Sequence, residues 1–247
     1  MNLIMKVQNK FYKSKIINKP WGYEYVIYSD LDKIAITFVK INYNHTTSLH
    51  CHPKKKTSFI ILEGVAEVQV GIYKANKKRF RPLRRFVIRP GLFHSLKAVS
   101  RQGLYALEVE APFIKKDLVR LKDSYGRKKK AYEGQKFSQS FNSETLIFKK
   151  PNLGKINKYR FNNILLNIEK TNKLSKLAKK DHLSSTAILD GDMVDNRKQK
   201  VISCGEIVKT STLKILSQNF KINKSLTLLN VTKSKYINKK KNLFYES

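Results

Sequence analysis

The sequence predicts an all-β protein, with an antiparallel barrel or jelly roll over residues 19–127. Short runs of β-branched and aromatic residues alternate with turn residues, and no helical period separates them. From Ala66 to Val70, apolar residues alternate with Glu67 and Gln69, which is typical of a strand with one buried face. Many short strands joined by turns favour a closed or sandwiched antiparallel architecture.

The expected strands can be read in order. The turn residues Pro20 and Gly22 precede an aromatic strand, and we expect Trp21 to pack against the core. Residues 76–85 are strongly basic and predict a loop or an exposed edge. The predicted strands are 23–28, 34–41, 46–52, 59–62, 66–70, 86–88 and 104–109.

Composition limits the functional classes. The net charge of +33 suggests nucleic acid, but Lys outnumbers Arg 41 to 10, and residues 1–123 and 124–247 carry +15 and +18. Because no element concentrates this charge, we do not expect a specific nucleic-acid partner. The chain has two cysteines, no secretory pattern and no run long enough to span a membrane, so we expect a cytoplasmic protein.

Three histidines form a candidate metal site. His50 and His52 are two residues apart, so on a strand their side chains leave the same face. A short apolar strand then reaches the Pro90-Gly91 turn and His94. Imidazoles that converge in this way can bind one divalent ion.

These residues resemble the two sequence motifs of the cupin superfamily, Gly-x5-His-x-His-x4-Glu-x6-Gly and Pro-x-Gly-x2-His. His50, His52, Gly64 and the Gly91–His94 spacing match, whereas Asn44 replaces the leading Gly, Thr57 replaces the Glu and Pro90 is one place late. The resemblance implies a cupin jelly-roll barrel with a metal on His50, His52 and His94. Without the carboxylate we expect Zn, Ni or Fe rather than Mn. A metal-free polar pocket is the competing interpretation.

Two other stretches resemble a narrower group, and the likeness covers residues 19–133 at most. Lys19 to Tyr25 (KPWGYEY) and 117–127 (DLVRLKDSYGR) are similar to sugar-phosphate-isomerase-like, or mannose-6-phosphate isomerase-like, cupins of bacterial polysaccharide biosynthesis. Residues 50–55 (HCHPKK) resemble the Gln-x-His-Pro-x-Lys motif of type I phosphomannose isomerases, which implies substrate binding by Lys55. For Arg120 and Asp123 we favour a short helix over a barrel edge rather than a catalytic role.

The second half predicts a degenerate cupin-like β domain, which would make the protein a bicupin. Residues 188–191 (ILDG) echo 61–64 (ILEG), 201–205 (VISCG) echo 87–91, and 226–231 echo 104–109. Its histidine, His182, is expected on the surface. The expected organisation is listed by range: a basic arm at 1–18, the metal-binding cupin at 19–127, a linker at 128–150, the second domain at 151–232 and a basic tail at 233–247.

We therefore expect a metal-dependent cupin that isomerises or epimerises a sugar phosphate or nucleotide sugar in surface-polysaccharide biosynthesis, with a homodimer as the default assembly. A non-catalytic cupin that binds a sugar or another anion, and an Fe-dependent dioxygenase, are the alternatives. The general base is not identified by sequence. Strand alternation places Glu67 outside and Glu63 lies at a turn, so neither replaces the missing metal ligand.

Overall fold

The computed structural model describes residues 12–127, 135–142, 145–178, 184–234 and 244–246. The chain divides into two compact units, Met1–Asn142 (unit 1) and Ser143–Ser247 (unit 2). Strands dominate both units, and every pairing between two strands is antiparallel, which confirms the predicted all-β fold. None of the helices in the described residues is long and apolar enough to cross a membrane.

Unit 1 contains twelve strands and one short 3-10 turn at Gln135–Phe137 in its described residues. The strands are β1 (Lys15–Lys19), β2 (Gly22–Asp30), β3 (Ile34–Ile41), β4 (Leu49–Cys51), β5 (Lys56–Glu63), β6 (Ala66–Val70), β7 (Lys77–Phe80), β8 (Arg85–Ile88), β9 (His94–Ala98), β10 (Leu104–Ala111), β11 (Val119–Lys122) and β12 (Ser138–Ser140).

Eight consecutive strands of unit 1, β3 to β10, form a jelly roll. One sheet contains the order β3-β10-β5-β8 and the other contains β4-β9-β6-β7. The first strand of the eight therefore pairs with the last, and the second with the seventh, as two Greek keys require. The first sheet continues through β2, β1 and β12, and the second gains β11 beside β4.

The space between the two sheets changes from apolar to polar along its length. Alternate residues of facing strands fill one end with aliphatic side chains, including Ile61, Ala98 and Leu104. The same strand faces continue to His94 on β9 and to Glu108 on β10. The sandwich therefore has a packed apolar end and a polar end, and the candidate site lies at the polar end.

Three parts of unit 1 differ from expectation. Residues 15–18, expected in an arm, belong to β1, which pairs with β2. Residues 138–140, expected in the linker, form β12, which pairs with β1. Within the tail at 117–127, Val119–Lys122 forms strand β11 on the edge of β4, so the expected short helix was wrong although the segment does cover a sheet edge. Two expectations are met: β7 is an exposed basic edge strand, and Trp21 is buried.

Unit 2 contains seven strands and two helices in its described residues. They are β13 (Ile156–Phe161), β14 (Ile164–Thr171), α1 (Leu174–Ala178), β15 (Ser185–Val194), β16 (Lys200–Ser203), β17 (Ile207–Lys209), α2 (Thr210–Asn219), β18 (Lys221–Lys233) and β19 (Phe244–Glu246).

The sheet of unit 2 repeats the first sheet of unit 1. Its order β17-β15-β18-β14-β13-β19 corresponds strand by strand to β8-β5-β10-β3-β2-β1. Gly191 and Gly64 both have positive φ, and a Cβ on either would lie 2.0 or 2.1 Å from a carbonyl oxygen of the strand segment opposite. The echo of 61–64 in 188–191 therefore reflects a shared backbone geometry that only glycine fits.

The second sheet of the jelly roll has no counterpart among the described residues of unit 2. Leu177 of α1 and Leu213 of α2 pack into its core instead. The backbone N–H of Gly205 donates to the carbonyl of Ile188, and the backbone N–H of Leu83 donates to the carbonyl of Ile61. Because Ile188 matches Ile61 in the two sheets, Gly205 matches Leu83, and the expected correspondence between 201–205 and 87–91 was wrong. Over its described residues, unit 2 is thus half of a jelly roll closed by helices, without counterparts of the strands that carry the three histidines. His182 lies outside the described residues.

Candidate metal centre and its cavity

The three histidines of unit 1 meet at the polar end of the sandwich. His50 on β4 pairs directly with His94 on β9, and His52 follows β4. Their ring centroids are 4.4 Å (His50–His94), 5.0 Å (His50–His52) and 5.4 Å (His52–His94) apart. One nitrogen of each ring lies within 4.8 Å of the others, so this group could hold a metal ion.

Backbone carbonyls fix the orientation of all three rings. The Nδ1 atoms of His50, His52 and His94 lie 2.7, 2.5 and 3.1 Å from the carbonyl oxygens of Ser48, Asp117 and Leu92, respectively. Because a carbonyl only accepts, each Nδ1 carries the hydrogen and each Nε2 presents a lone pair. The Nε2 atoms of His52 and His94 are buried and have no hydrogen-bond partner among the described residues.

The imidazoles are neutral and ready to bind a cation. Burial holds the pKa of His94 at about 4 and the pKa of His50 well below its usual value. Burial, followed by the charge of Lys55, also lowers the pKa of His52. A metal ion therefore does not have to displace protons from these rings at neutral pH, because only neutral imidazole binds a metal.

The donor set fits a transition metal held by three imidazoles. Thr57 is buried on β5, and its hydroxyl has no partner among the described residues. A neutral hydroxyl does not replace the expected carboxylate. Among the described residues, the group of ligand atoms that lie within 4.8 Å of one another contains only the three histidines, and neither Glu108 nor Glu110 belongs to it. Three imidazoles with water suit zinc, and imidazole donors also suit iron and nickel. His50, His52 and His94 would hold the ion.

A chain of buried ion pairs lies beside the imidazoles. Lys55 and Lys115 both donate to Glu110, at 2.8 Å for Lys115, and Thr37 donates to the same carboxylate at 2.7 Å. The ammonium of Lys115 also lies 3.7 Å from Glu24. Burial alone would raise the pKa of Glu110, but the charges of Lys115 and Lys55 hold this pKa at about 2. These charges are therefore fixed in position by one another.

Lys55 has two structural roles in this site. Its side chain is 3% exposed, and its ammonium is held by Glu110 rather than directed into solvent. Its positive charge also lowers the pKa of all three histidines, which places it within electrostatic range of the imidazoles. Lys55 lines the same cavity as His50 and His52, and its contact with a substrate stays a prediction.

The cavity, with a volume of about 70 Å³, is bounded by both sheets of unit 1. It is lined by five basic side chains and three acidic ones, together with imidazoles and apolar residues. Among these, Glu108 is half-buried on β10, and burial followed by the charge of Glu110 raises its pKa to about 8. The basic lining residues are Lys19, Lys55, Lys115, Arg120 and Arg127, and the acidic ones are Glu24, Glu108 and Glu110.

The 117–127 tail positions the site. The carboxylate of Asp117 accepts hydrogen bonds from the backbone N–H groups of Lys54 and Lys55, each at 2.9 Å, while its carbonyl accepts from His52. Arg120 on β11 lies directly across from His50 on β4 in the strand pairing, and it lines the cavity. Asp123 is bound by Arg127 at 2.6 Å, a structural contact.

Sequence reasoning missed the acids on β10 and the role of Asp117. The signal was present in strand 104–111, because Glu108 and Glu110 continue the inward-facing series that starts with Leu104 and Ala106. Two acids on the buried face of a central strand predict a polar cavity or an ion pair.

No protein-family model and no curated protein matches this sequence. Among solved structures, the chain is similar to KdgF from Halomonas sp., with 18% identity over 38% of this chain and 82% of that one, and a TM-score of 0.34. A Klebsiella pneumoniae protein with a double-stranded beta-helix domain shows 14% identity over 47% and 95%, with a TM-score of 0.38. A putative sugar phosphate isomerase from Acidithiobacillus ferrooxidans shows 16% over 33% and 51%, with a TM-score of 0.30. Likenesses this distant say nothing about activity.

Proposed function

We propose that unit 1 is a metal-dependent cupin that isomerises or epimerises a sugar phosphate or nucleotide sugar in surface-polysaccharide biosynthesis. The observation that carries the proposal is the orientation of the three imidazoles. Their Nδ1 atoms are hydrogen-bonded to carbonyl oxygens, and one nitrogen of each ring lies within 4.8 Å of the others. The Nε2 atoms of His52 and His94 are buried and have no partner among the described residues. Unsatisfied buried nitrogens are costly unless a ligand satisfies them.

The cavity supports an anionic, oxygen-rich substrate. A bound metal would supply a Lewis acid that polarises a carbonyl or hydroxyl oxygen. Basic lining residues outnumber acidic ones, so the field favours a phosphate group, and Lys55 is the residue that would face it beside the imidazoles. Because neighbouring carboxylates fix the lysines, these charges are already in place before a substrate enters.

A non-catalytic cupin that binds a sugar or another anion is the second candidate. It is favoured by one observation: the ammonium of Lys55 acts on all three imidazoles and would repel a divalent cation. An anion bound by Lys55 and the neutral imidazoles needs no metal. The dioxygenase, the homodimer and the cytoplasmic location stay predictions.

Metal analysis of protein purified without a histidine tag separates the two candidates. We expect about one equivalent of zinc, iron or nickel in the wild type and less than about a tenth in His94→Ala. His45→Ala is the matched control, because His45 is partly exposed and contacts Tyr43 and Tyr125 outside the cluster. Wild-type protein that stays metal-free after incubation with each ion would favour the anion-binding protein.

A further inference from the structure

Glu108 differs from the other acids that line the cavity. Glu110 and Glu24 are held by lysines, whereas the carboxylate of Glu108 has no hydrogen bond or ion pair among the described residues. Glu108 lies directly across from Phe59 on β5, within the face that lines the interior. An unpaired carboxylate in such surroundings reduces stability. Glu108 therefore does not serve to hold the fold together.

Unit 2 shows that this fold does not require an acid at the position. Asn230 lies across from Thr186 in β15, as Glu108 lies across from Phe59 in β5. The Asn230 amide donates to the hydroxyls of Ser184 and Thr186 at 3.0 and 3.1 Å, and these residues are buried. The equivalent space in unit 2 is thus filled by a satisfied polar network. An acid that costs stability and that the related sheet lacks is typical of a functional site.

We propose that Glu108 is the proton-transfer residue of this cavity, acting on a ligand that carries a C–H bond beside a carbonyl group. The inference rests on the proposed function of unit 1. The Glu108 carboxylate takes the proton of the C–H bond, and the electron pair of that bond forms a carbon–carbon double bond as the carbonyl electrons move onto oxygen. On a substrate whose first carbon also carries a hydroxyl group, the protonated Glu108 then returns the proton to the former carbonyl carbon. The hydroxyl proton passes to the former carbonyl oxygen, so that the carbonyl and hydroxyl groups exchange places. The substrate is neither oxidised nor reduced overall, so no co-reactant is required.

The surroundings of Glu108 couple its proton to the metal. Without a metal, burial and the charges of Glu110 and Glu24 favour the protonated form, against the opposing effect of Lys55 and Lys115. A divalent ion on the three imidazoles adds positive charge to the same cavity and favours the carboxylate. Metal loading would therefore convert Glu108 from an acid into a base at neutral pH.

Infrared spectroscopy in heavy water tests the protonation state without a substrate. The metal-free wild type at pH 7 is expected to show a protonated-carboxyl band that is absent from Glu108→Gln and that disappears when zinc saturates the protein. Glu67→Gln is the matched control, because Glu67 pairs with Lys77 and Arg79 outside the cavity, and it should retain the band. No band in the wild type, a band that persists in Glu108→Gln, or a band that survives zinc saturation would overturn the inference.

Exchange of solvent deuterium tests the catalytic role. The zinc-loaded chain is incubated in heavy water with aldose and ketose phosphates and with keto-sugar nucleotides, and deuterium at the carbon beside the carbonyl is followed by NMR. We expect Glu108→Gln to exchange about 10²- to 10⁴-fold more slowly at unchanged zinc content, Glu108→Asp to retain measurable exchange, and Glu67→Gln to match the wild type.

The outcomes separate the two proposals. If zinc binds and Glu108→Gln exchanges at the wild-type rate, the inference about Glu108 is wrong and the proposed function stands. If the wild type binds none of zinc, iron and nickel, the proposed function is wrong, and the infrared band alone decides whether Glu108 carries the proton of the cavity. If zinc-loaded wild type exchanges deuterium into none of the sugar phosphates and none of the nucleotide sugars, both proposals are contradicted.

Discussion

Replacing Glu110 with Gln should destabilise unit 1 strongly at neutral pH. The side chain is 1% exposed and accepts hydrogen bonds from Lys55, Lys115 and Thr37. Its pKa falls from 4.5 to about 2 in the folded protein, a difference of about 2.5 units, which corresponds to about 3 kcal/mol. Breaking a buried pair by removing one partner costs about 3–5 kcal/mol, which agrees with that figure.

Urea denaturation of metal-free protein, followed by fluorescence of Trp21, measures this loss. Trp21 is the single tryptophan and lies in the core of unit 1, so the signal reports on that unit. Because the pKa of Glu110 is lowered on folding, its contribution is present above pH 4.5 and is lost as the pH falls towards 2. Glu110→Gln should therefore differ most from the wild type at pH 7 and least near pH 2.

Two further variants define the mechanism of the Glu110 effect. Lys55→Met added to Glu110→Gln should restore part of the lost stability, because it removes an ammonium group that has lost its ion pair with Glu110, whereas Lys115 keeps Glu24 at 3.7 Å. Glu67→Gln should cost less than about 1 kcal/mol, because that pair is near the surface. If Glu110→Gln costs no more than Glu67→Gln, the ion-pair chain does not stabilise the fold and the reasoning is wrong.

Three other results are expected from urea denaturation. Gly64→Ala should cost several kcal/mol more of unfolding free energy than Gly91→Ala. Both glycines have positive φ, but of the two only Gly64 would place a Cβ against a carbonyl oxygen, that of Gly103 at 2.1 Å. Equal costs would contradict this reasoning. The metal-free wild type should lose stability as the pH falls below 6.5, because the unfolded chain then binds more protons at the three site histidines, and His94→Gln should reduce that slope by about a third. Glu108→Gln should become more stable than the wild type as the pH rises from 5 to 8, since the raised pKa of Glu108 reduces wild-type stability over that interval; a constant difference would argue against it.

Local patterns predicted the parts of the site that depend on local geometry. Strand parity places His50 and His52 on one face, and the Pro90-Gly91 turn starts β9 at His94, so their meeting follows from the jelly-roll pairing. The acids of β10 depend on a neighbour about fifty residues away, since Glu110 lies across from Thr57. Strand alternation places these acids on the inward face, but it does not identify their neighbours unless the strand order is known.

The remaining errors arose where tertiary pairing decided the local structure. Residues 119–122 form a strand because β4 offers an open edge, which outweighs the weak helical preference of the segment. In unit 2 the glycine echo at Gly191 correctly indicated the repeated sheet, because it reflects a steric requirement. The helix α2 was missed although Leu213 and Leu216 lie three residues apart and both pack into the core.

The two units share one backbone frame with different contents. At the matching place in the sheet, unit 1 has the cavity-lining Glu108, and unit 2 has Asn230, whose amide donates to buried hydroxyl groups. The sheet folds with either residue at this place, so the acid at position 108 is an addition that the fold does not require. Substitutions of Glu108 should consequently alter the chemistry of the cavity while the sheet keeps its shape, whereas Glu110 has ion pairs that the fold needs.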